Sequence, residues 1–459
     1  MIDKIIKEIA SYDKVLILGF GREGKSTYNL IRKYLKDKFL YIADLNTKLL
    51  DNNSYLCDDK NLEVILGDNY LDNLGEYDLI IKAPGVNFKN VEYESFQDKI
   101  TYQSDLFLKY ADCMTIGVTG TKGKSTTSSL INYILSNTMD NVIFVGNIGI
   151  PIFDKIEEMN SKSIVVIELG VHQLQFIKSS PKISILLNLY EEHLDLYKSY
   201  DVYKNSKLNI FKYQKDRDYK IWGLDSVDSY NSFVDGPNTY TFSTDLDKVK
   251  NGVFIDSNGL YLVKDNNKEL IYSKSRTRKL LGDHNLYNIA ASLCVCDILG
   301  VPCDRVLDLI DEFNPLEHRM EYVGKYKEID FYNDSIATIP EAAINCLKSI
   351  SNAETFIVGG MDRGVDLSTL INYLKTSNIK TCICLKDTGY MIADELNKLN
   401  SNIKTIKVND MEEAVREAYL NTTSGMACVL SPAAASYNVY KNFEERGKDY
   451  KNWIEKLSK

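Results

Sequence analysis

The stretch KVLILGFGREGKSTYNLIRKYL at residues 14–35 gives the first indication of the fold. A short apolar run leads into a glycine-rich turn, and an amphipathic segment follows, which predicts a strand, a tight turn and a helix. The turn GFGREGKS (19–26) satisfies both the ATP-binding pattern G-x-x-x-x-G-K-[ST] and the dinucleotide-binding pattern G-x-G-x-x-G. Either pattern places backbone N–H groups and a helix N-terminus against an anion.

The next predicted strand distinguishes the two patterns. FLYIAD ends at Asp44, twenty residues after Gly24, where a Rossmann-type unit places an acid against a ribose hydroxyl or a base. We therefore expect a nucleotide diphosphate at this turn and interpret Lys25-Ser26 as a coincidental match to the ATP pattern. The alternative is that the glycines only form a tight strand–helix turn.

A second glycine-rich loop, GVTGTKGKSTT (117–127), is the better ATP site although Val118 replaces the first glycine of the strict pattern. Lys124 is placed to reach the β- and γ-phosphates, and a hydroxyl of the next residues can face Mg²⁺. The later strand SIVVIELG presents Glu168 at its carboxyl end, from which a carboxylate can ligate magnesium. The predicted ATP-binding residues of this loop are Gly120, Thr121, Lys122, Gly123, Lys124, Ser125 and Thr126.

The alternation of strand and helix patterns starts three times along the chain, which indicates an α/β fold with parallel sheets. We expect a Rossmann-like domain at 1–99, a P-loop ATPase-like domain at 100–313 and a second Rossmann-like domain at 314–459. Within 216–280, the runs TYTFS (239–243) and GVFIDSNGLYLV (252–263) predict antiparallel strands.

Composition excludes several classes of protein. The 459 residues carry a net charge of -9, which argues against a nucleic-acid-binding surface. No apolar run approaches the roughly 18 residues that span a bilayer, and the N-terminus lacks the apolar core of a signal peptide. The nine cysteines contain no C-x-x-C spacing and read as reduced, apolar side chains. These features predict a cytoplasmic protein without membrane insertion.

The second loop and its surroundings resemble the Mur ligases, the ATP-dependent amide-forming enzymes of peptidoglycan precursor synthesis. The resemblance spans nearly the whole chain, because further motifs of that family follow TGTKGKSTT (119–127) in the family's order. They are GNIG (146–149), IELG (167–170), LNLYEEHLDLY (187–197), YKNSKLNIF (203–211), LGDHNLYNIAAS (281–292), LEHRMEYV (316–323), YNDSIAT (332–338), GGMDRGVD (359–366) and LSPAAASYNVYKNFEERG (430–447).

The resemblance implies an activity. The compact first domain and the SPAAASYN…NFEERG ending are similar to the family member that adds D-glutamate to UDP-N-acetylmuramoyl-L-alanine through an acyl phosphate. The resemblance implies that the cofactors are ATP, two Mg²⁺ ions and a carbamylated lysine. It also implies that the substrates are small molecules and that the protein is a monomer. The alternatives are a related ligase for another amino acid or a folylpolyglutamate synthetase, which lacks the N-terminal nucleotide-sugar domain. A dehydrogenase would need a hydride-transfer site where the ATP loop stands.

Residue roles are also implied by the resemblance. It places Mg²⁺ at Ser125, Glu168, His193 and a carbamylated Lys207, although the residues alone would favour an exposed lysine at 207. Adenine, phosphate and ribose contacts fall on Asn285, Asn288, Arg319 and Asp334. The other three histidines, 172, 284 and 318, are expected to be hydrogen-bonded supports. The nucleotide-sugar residues are Gly21, Arg22, Glu23, Gly24, Asp44, Pro84, Gly85 and Asn147.

The D-glutamate pocket is implied at Thr338, Arg363, Ser436 and Phe443. Ile336 stands where the family usually has a lysine after NDS, so we expect Arg363 to supply the cation for the amino acid's side-chain carboxylate. A guanidinium binds a carboxylate through two parallel hydrogen bonds. The alternative is that Arg363 pairs with a neighbouring aspartate on the surface.

Overall fold

The computed structural model describes residues 1–192, 196–265 and 267–459. In these ranges the chain forms helices and three largely parallel sheets, and it divides into two compact units. One unit contains Met1–Arg276 and Leu286–Ile310, and the other contains Thr277–Asn285 and Asp311–Lys459. The predicted α/β class is therefore confirmed, while the domain boundaries after residues 99 and 313 stay predictions.

The first sheet has five parallel strands in the order β3-β2-β1-β4-β5. This is the strand order of a Rossmann-type nucleotide-binding unit. The chain builds the sheet from β1 to β3 on one side, and then continues with β4 on the other side of β1. The strands are β1 Val15–Leu18, β2 Leu40–Asp44, β3 Leu62–Leu66, β4 Leu79–Lys82 and β5 Ile100–Thr101, and the helices are α1 Ile2–Ala10, α2 Arg22–Tyr34, α3 Leu49–Asn52 and α4 Gln103–Tyr110.

The second sheet has nine strands in the order β14-β13-β12-β11-β10-β9-β6-β8-β7. Its strands are β6 Met114–Thr119, β7 Val142–Gly146, β8 Ile164–Glu168, β9 Ile183–Leu186, β10 Tyr219–Gly223, β11 Thr239–Ser243, β12 Gly252–Ile255, β13 Gly259–Lys264 and β14 Asn267–Ser273. The helices that follow are α5 Lys124–Thr138, α6 Ile152–Lys155, α7 Tyr200–Lys212, α8 Val227–Asn231, α9 His284–Ile298 and α10 Cys303–Glu312.

One expectation for this sheet is wrong. TYTFS forms β11, which pairs in parallel with both β10 and β12, so the antiparallel prediction fails there. GVFIDSNGLYLV does form the antiparallel pair β12–β13, and β14 continues it. All five side chains of β11 are buried, which is the pattern of an interior parallel strand covered on both faces.

The third sheet has the order β15-β16-β20-β17-β18-β19, and only its edge strand β15 runs antiparallel to its neighbour. Its strands are β15 Glu321–Tyr326, β16 Ile329–Asn333, β17 Ala353–Gly360, β18 Thr381–Asp387, β19 Lys404–Lys407 and β20 Ala427–Leu430. Its helices are α11 Pro340–Ser349, α12 Ser368–Thr376, α13 Thr388–Lys398, α14 Met411–Asn421 and α15 Phe443–Ser458.

The core is built from the central strands, whose residues are almost all buried; β1, β8, β17 and β20 are buried along their whole length. Near-continuous apolar runs are expected in parallel strands because helices cover both faces. In the part of the chain described here, no helix is long and apolar enough to cross a membrane.

The glycines of the first turn have different structural roles. Gly19 has φ +87°, and a Cβ on it would lie 2.6 Å from Cγ2 of Val86. A Cβ on Gly24 would lie 2.0 Å from the carbonyl oxygen of Gly19, whereas a Cβ on Gly21 would meet nothing within 4 Å. Gly24 therefore lets α2 pack tightly against the turn, and Gly21 leaves space in front of it.

We expect Gly24→Ala to lower the free energy of unfolding by about 1–3 kcal/mol, because the added methyl group collides with backbone that cannot move aside. This strain outweighs the gain in helix propensity of roughly 1 kcal/mol. Gly21→Ala is the matched control and should stay within about 0.5 kcal/mol of wild type. Denaturant unfolding of both variants measures the difference, and equal stability would contradict the proposed packing role of Gly24.

Candidate active site

A cavity of about 390 Å³ lies at the carboxyl ends of the first sheet's strands, where ligands of parallel sheets bind. Seven of the eight predicted nucleotide-sugar residues line it, and Gly24 instead packs behind the turn. The cavity is also lined by Gly19, Gly146 and Gly149 of the quoted motifs and by Tyr70, which belongs to none of them. The predicted residues that line the cavity are Gly21, Arg22, Glu23, Asp44, Pro84, Gly85 and Asn147.

Asp44 fixes the shape of the glycine-rich turn. Its carboxylate accepts hydrogen bonds from the backbone N–H of Phe20 at 2.6 Å and of Asn46 at 2.8 Å. The acid at the end of β2 thus supports the loop as well as facing the cavity. A ribose contact, as predicted from spacing, would add to these bonds.

Asn147 connects this cavity with the end of β8. It lines the cavity, and its Nδ2 donates a hydrogen bond of 2.7 Å to Oε1 of Glu168. Glu168 is 1% exposed, and its Oε2 is buried without a hydrogen-bond partner among the described residues. A buried carboxylate oxygen that lacks a donor is chemically suited to a hard cation, so Glu168 fits the predicted magnesium ligand.

The second glycine-rich loop lies between β6 and α5. Gly120 has φ +155° and Gly123 has φ +87°, and a Cβ on Gly120 would lie 2.9 Å from Cβ of Leu187. Nζ of Lys124 donates to the carbonyl oxygens of Gly120 and Thr121 at 3.0 Å each. The loop therefore holds its lysine folded back over the N-terminus of α5, the position at which it can meet a phosphate.

The loop is held by residues that the sequence analysis did not identify individually. The side chain of Asn188 accepts a hydrogen bond from the N–H of Lys122 at 2.9 Å and donates to its carbonyl at 3.1 Å. Oγ1 of Thr121 lies 3.1 Å from the hydroxyl of Tyr203 and accepts from the N–H of Tyr190. Asn188 lies within the motif LNLYEEHLDLY, which was the only signal for it.

Asn288 also contacts the loop. Its Oδ1 accepts a hydrogen bond of 3.0 Å from Thr127, and a Cβ on Gly123 would lie only 2.4 Å from the same atom. Asn285, three residues earlier in α9, donates to the carbonyl of Leu281. The predicted adenine contacts of both asparagines stay predictions.

Lys207 is buried, which contradicts the exposed lysine favoured by the residues alone. It is 1% exposed on α7, and its Nζ donates to the carbonyl of Gly120 at 2.7 Å and lies 4.9 Å from the ring centre of Tyr203. Burial, and then the nearby charge of Lys124, hold the pKa of Lys207 well below its usual range. Burial and the charge of Lys124 therefore both favour the uncharged amine.

Two of the predicted supporting histidines form side-chain contacts with neighbouring residues. His193 lies outside the described residues. Nδ1 of His172 lies 2.8 Å from the hydroxyl of Tyr197, and Nδ1 of His318 lies 2.8 Å from Nδ2 of Asn333. Both side chains therefore have structural partners.

Asp334 and Arg319 lie in the second unit. The Asp334 carboxylate is buried and accepts from the N–H of Met320 and the hydroxyl of Ser431. Burial raises the pKa of Asp334 to about 6. Arg319 is half-buried at the preceding turn. Contacts of Asp334 with ribose and of Arg319 with phosphate stay predictions.

Arg446, which the sequence analysis did not identify, organises the C-terminal motifs. It is 1% exposed, and its guanidinium donates to the hydroxyl and carbonyl of Ser335 and to the carbonyl of Ala434. A Cβ on Gly360 would lie 3.0 Å from its Nη1. One buried cation therefore joins the loops of NDS, SPAAAS and GGMDRG, and burial lowers its pKa to about 10.

The four predicted amino-acid residues lie on these loops or beside them. Thr338 and Phe443 are half-buried, and Ser436 is 3% exposed. Arg363 is exposed and forms no ion pair with Asp362 or Asp366 among the contacts of the described chain. Those two aspartates accept hydrogen bonds from the N–H groups of Gly364 and Ser368 instead.

Comparison with known proteins identifies the family. Residues 118–296 match the Mur ligase middle domain, and residues 318–434 match the Mur ligase glutamate ligase domain. A UDP-N-acetylmuramoylalanine–D-glutamate ligase of Clostridium botulinum (strain 657, type Ba4) is 33% identical over 98% of both chains. The ligase of the same name from Clostridium tetani (strain Massachusetts) is 33% identical over 97% of both chains.

Solved structures show the same fold at lower identity. MurC of Thermotoga maritima, a UDP-N-acetylmuramate–alanine ligase, matches with a TM-score of 0.60 and 21% identity, covering 97% of this chain and 99% of its own. MurF of the same organism, solved with ADP, matches with a TM-score of 0.58 and 16% identity over 96% and 95% of the two chains. With full-length relatives at 33% identity and both domain matches, this chain belongs to the Mur ligase family.

Proposed function

We propose that this Mur ligase joins D-glutamate to UDP-N-acetylmuramoyl-L-alanine and releases ADP and phosphate, in peptidoglycan precursor synthesis. The identity with ligases of that name extends over 98% of both chains. The observation that supports it most directly is the position of Asn147, which lines the nucleotide cavity and bonds to the buried Glu168. An enzyme that phosphorylates a nucleotide-linked carboxylate needs these two sites side by side. A monomer in the cytoplasm stays a prediction.

The reaction requires two anions to meet. A substrate carboxylate oxygen attacks the γ-phosphorus of ATP, the bond to the β-phosphate oxygen breaks, and ADP leaves. The amine of D-glutamate then attacks the carbonyl carbon of the acyl phosphate and loses a proton. The tetrahedral intermediate expels phosphate and leaves the amide. Charge neutralisation and positioning are therefore the main tasks of the side chains.

Lys124 is proposed to meet the β- and γ-phosphates. Its ammonium already lies over the loop, held by the carbonyls of Gly120 and Thr121. A phosphate can replace these carbonyls as its partner, and the loop and helix N–H groups complete the anion site. Lys25 differs, because its side chain is exposed and lies 5.5 Å from the ring centre of Tyr55.

Magnesium would be held by Ser125, Glu168, His193 and a carbamylated Lys207. The ion would neutralise phosphate charge and polarise the γ-phosphoryl group. The unpartnered Oε2 of Glu168 supports this assignment. The MurF structure solved with ADP shows that a protein of this fold binds an adenine nucleotide.

Carbamylation explains why a lysine is buried at position 207. An ammonium there would repel both magnesium and Lys124, whereas the uncharged amine can attack carbon dioxide and lose a proton to form a carbamate. The carbamate carries a negative charge and offers oxygen ligands to the metal. Its oxygens would extend from the place where Nζ now meets the carbonyl of Gly120.

The proposed function is tested by phosphate release from ATP in the presence of UDP-N-acetylmuramoyl-L-alanine and one amino acid at a time. Release should require D-glutamate, L-glutamate should not replace it, and a folate should not replace the nucleotide sugar. Release with another amino acid instead would identify a different ligase of the superfamily.

In this assay Lys124→Ala should lower phosphate release by at least about 10²-fold, because the enzyme loses a preorganised cation at the phosphates. Lys25→Ala is the matched control, a lysine of the other glycine-rich turn, and should spare turnover at saturating nucleotide sugar. An equal loss in both variants would contradict the assignment of ATP to residues 120–126.

Lys207→Ala should be nearly inactive and should recover in part with added short carboxylates, which can occupy the vacated position. Lys204→Ala removes a lysine one turn earlier on α7, partly exposed and paired with Asp201, and should retain activity. Intact mass or ¹³C NMR after labelled bicarbonate should detect a carbamate in wild type and lose it in Lys207→Ala. Activity of Lys207→Ala at the wild-type level without bicarbonate would exclude the carbamate.

Arg363 is exposed in the free protein, and D-glutamate binding would bury its guanidinium against the side-chain carboxylate. Arg363→Ala should then raise the KM for D-glutamate by well over tenfold, since removing one partner of a buried hydrogen-bonded charge pair costs roughly 2–5 kcal/mol. The KM for ATP should change much less. Arg416→Ala, which removes an exposed arginine that pairs with Glu412, is the control. An unchanged KM for D-glutamate would show that another residue binds its side-chain carboxylate.

A further inference from the structure

Glu23 is an acid at the place where an anion is expected to bind. It lies in the first turn of α2 and lines the cavity at the carboxyl end of β1. Its Oε1 accepts a hydrogen bond of 2.6 Å from Nε2 of Gln173. The other end of that amide accepts the N–H of Gly170 at 2.9 Å, so Gln173 is fixed and holds Glu23 against the cavity wall.

Glu23 has no cation directly beside it. Among the described residues, no lysine or arginine nitrogen lies within the 4.0 Å of an ion pair with its carboxylate. The adjacent Arg22 donates to the carbonyl of Gly149 at 3.3 Å instead. A charged Glu23 would therefore repel a diphosphate bound to the N-terminus of α2.

Lys82 is a buried cation whose charge acts on Glu23. It ends β4 immediately before the cavity residue Ala83, is 3% exposed, and lies 5.1 Å and 5.8 Å from the ring centres of Phe88 and Tyr102. Its only described hydrogen bond is a long one, 3.4 Å to the carbonyl of Ala83. An acid of the cavity wall and a buried base next to the cavity residue Ala83 thus influence each other without forming an ion pair.

Burial is the main influence on both groups. It raises the pKa of Glu23 to about 7, although the bond from Gln173 and the charges of Arg22 and Lys82 oppose the rise. It lowers the pKa of Lys82 to about 7, although Glu23 opposes the fall. Both groups therefore change charge in the same range of pH.

The other titratable groups around Glu23 have different properties. Burial raises the pKa of the Tyr70 and Tyr102 hydroxyls, so neither changes charge near neutral pH. The Asp44 carboxylate is engaged by backbone N–H groups, and His172, next to Gln173, is bonded to Tyr197. Glu23 and Lys82 are thus the pair whose charges change near neutral pH.

We propose that Glu23 binds the diphosphate of the nucleotide sugar as the uncharged acid, donating a hydrogen bond to a phosphate oxygen, so that substrate binding takes up a proton. The proton comes from solvent and stays on the carboxyl group while the substrate is bound. Lys82, kept protonated by the bound anion, acts in the same direction. This inference rests on the proposed function, which places the diphosphate at this turn.

The sign of the pH dependence follows from these charges. Below about pH 7 Glu23 is uncharged and Lys82 is charged, and both states favour an anion. As pH rises through 7, Glu23 gains a negative charge and Lys82 loses its positive charge, so affinity falls. Uptake of one proton corresponds to a dissociation constant that rises up to about tenfold per pH unit.

The test is calorimetric titration of the complete enzyme with UDP-N-acetylmuramoyl-L-alanine, without ATP, from pH 6 to pH 8.5. The ligand has no group that titrates in this range, so any change of the dissociation constant with pH comes from the protein. Above pH 7.5 the wild type should bind more weakly with each pH step. Its binding enthalpy should vary with the ionisation enthalpy of the buffer, which measures the proton taken up.

Glu23→Gln keeps the shape and the polar contact with Gln173 but cannot titrate. It should flatten most of the pH dependence, bind about tenfold more tightly than wild type at pH 8.5, and lose most of the proton uptake. Glu63→Gln, an exposed glutamate on β3 of the same sheet, should behave like wild type.

Two results would overturn the inference while leaving the proposed function intact. One is measurable binding by wild type with no pH dependence and no proton uptake. The other is a Glu23→Gln variant with the wild-type slope. Absence of binding by wild type at every pH would instead contradict the proposed function itself.

Discussion

Two lysine side chains meet at one backbone oxygen, and the arrangement of the ATP loop depends on this contact. The carbonyl of Gly120 accepts from Nζ of Lys124 at 3.0 Å and from Nζ of Lys207 at 2.7 Å. Two ammonium groups so close together in a buried place repel each other, so one must lose its charge or change partner. In the proposed mechanism ATP binding would draw Lys124 away, and carbamylation would convert Lys207 into an anion. Either event would relieve this repulsion.

In the second unit a single buried cation has the corresponding role. The guanidinium of Arg446 donates hydrogen bonds to the hydroxyl and carbonyl of Ser335 and to the carbonyl of Ala434. It also lies so close to Gly360 that a side chain there would contact it. Its donors are satisfied by neutral acceptors, so its positive charge is not cancelled by a carboxylate in contact with it. The next residue, Gly447, is equally constrained, because a Cβ there would lie 2.2 Å from Nδ1 of His318. The NFEERG motif is therefore required for packing.

The sequence predicted features that depend on local patterns. The strand–glycine–helix units at β1–α2 and β6–α5, and the cavity residues at the ends of the strands, follow from turn chemistry and periodicity. The prediction that β11 pairs in the antiparallel direction was wrong, because strand pairing depends on distant partners that a five-residue run does not specify. The burial of Lys207 and the bonds of Asn188 also depend on segments far apart in the chain. Only the family resemblance pointed to Lys207.

Four charged groups lack a close ion-pair partner among the described residues. Lys82, Lys207 and Arg446 are buried, and the half-buried Glu23 lines the cavity. A charge buried without a partner is costly unless a ligand, a proton or a chemical modification completes it. For the lysines such a partner would be an anionic substrate or a carbamate, and for Glu23 it would be a proton. Part of the binding energy of the proposed anionic substrates would therefore come from pairing cations that the free protein leaves uncompensated.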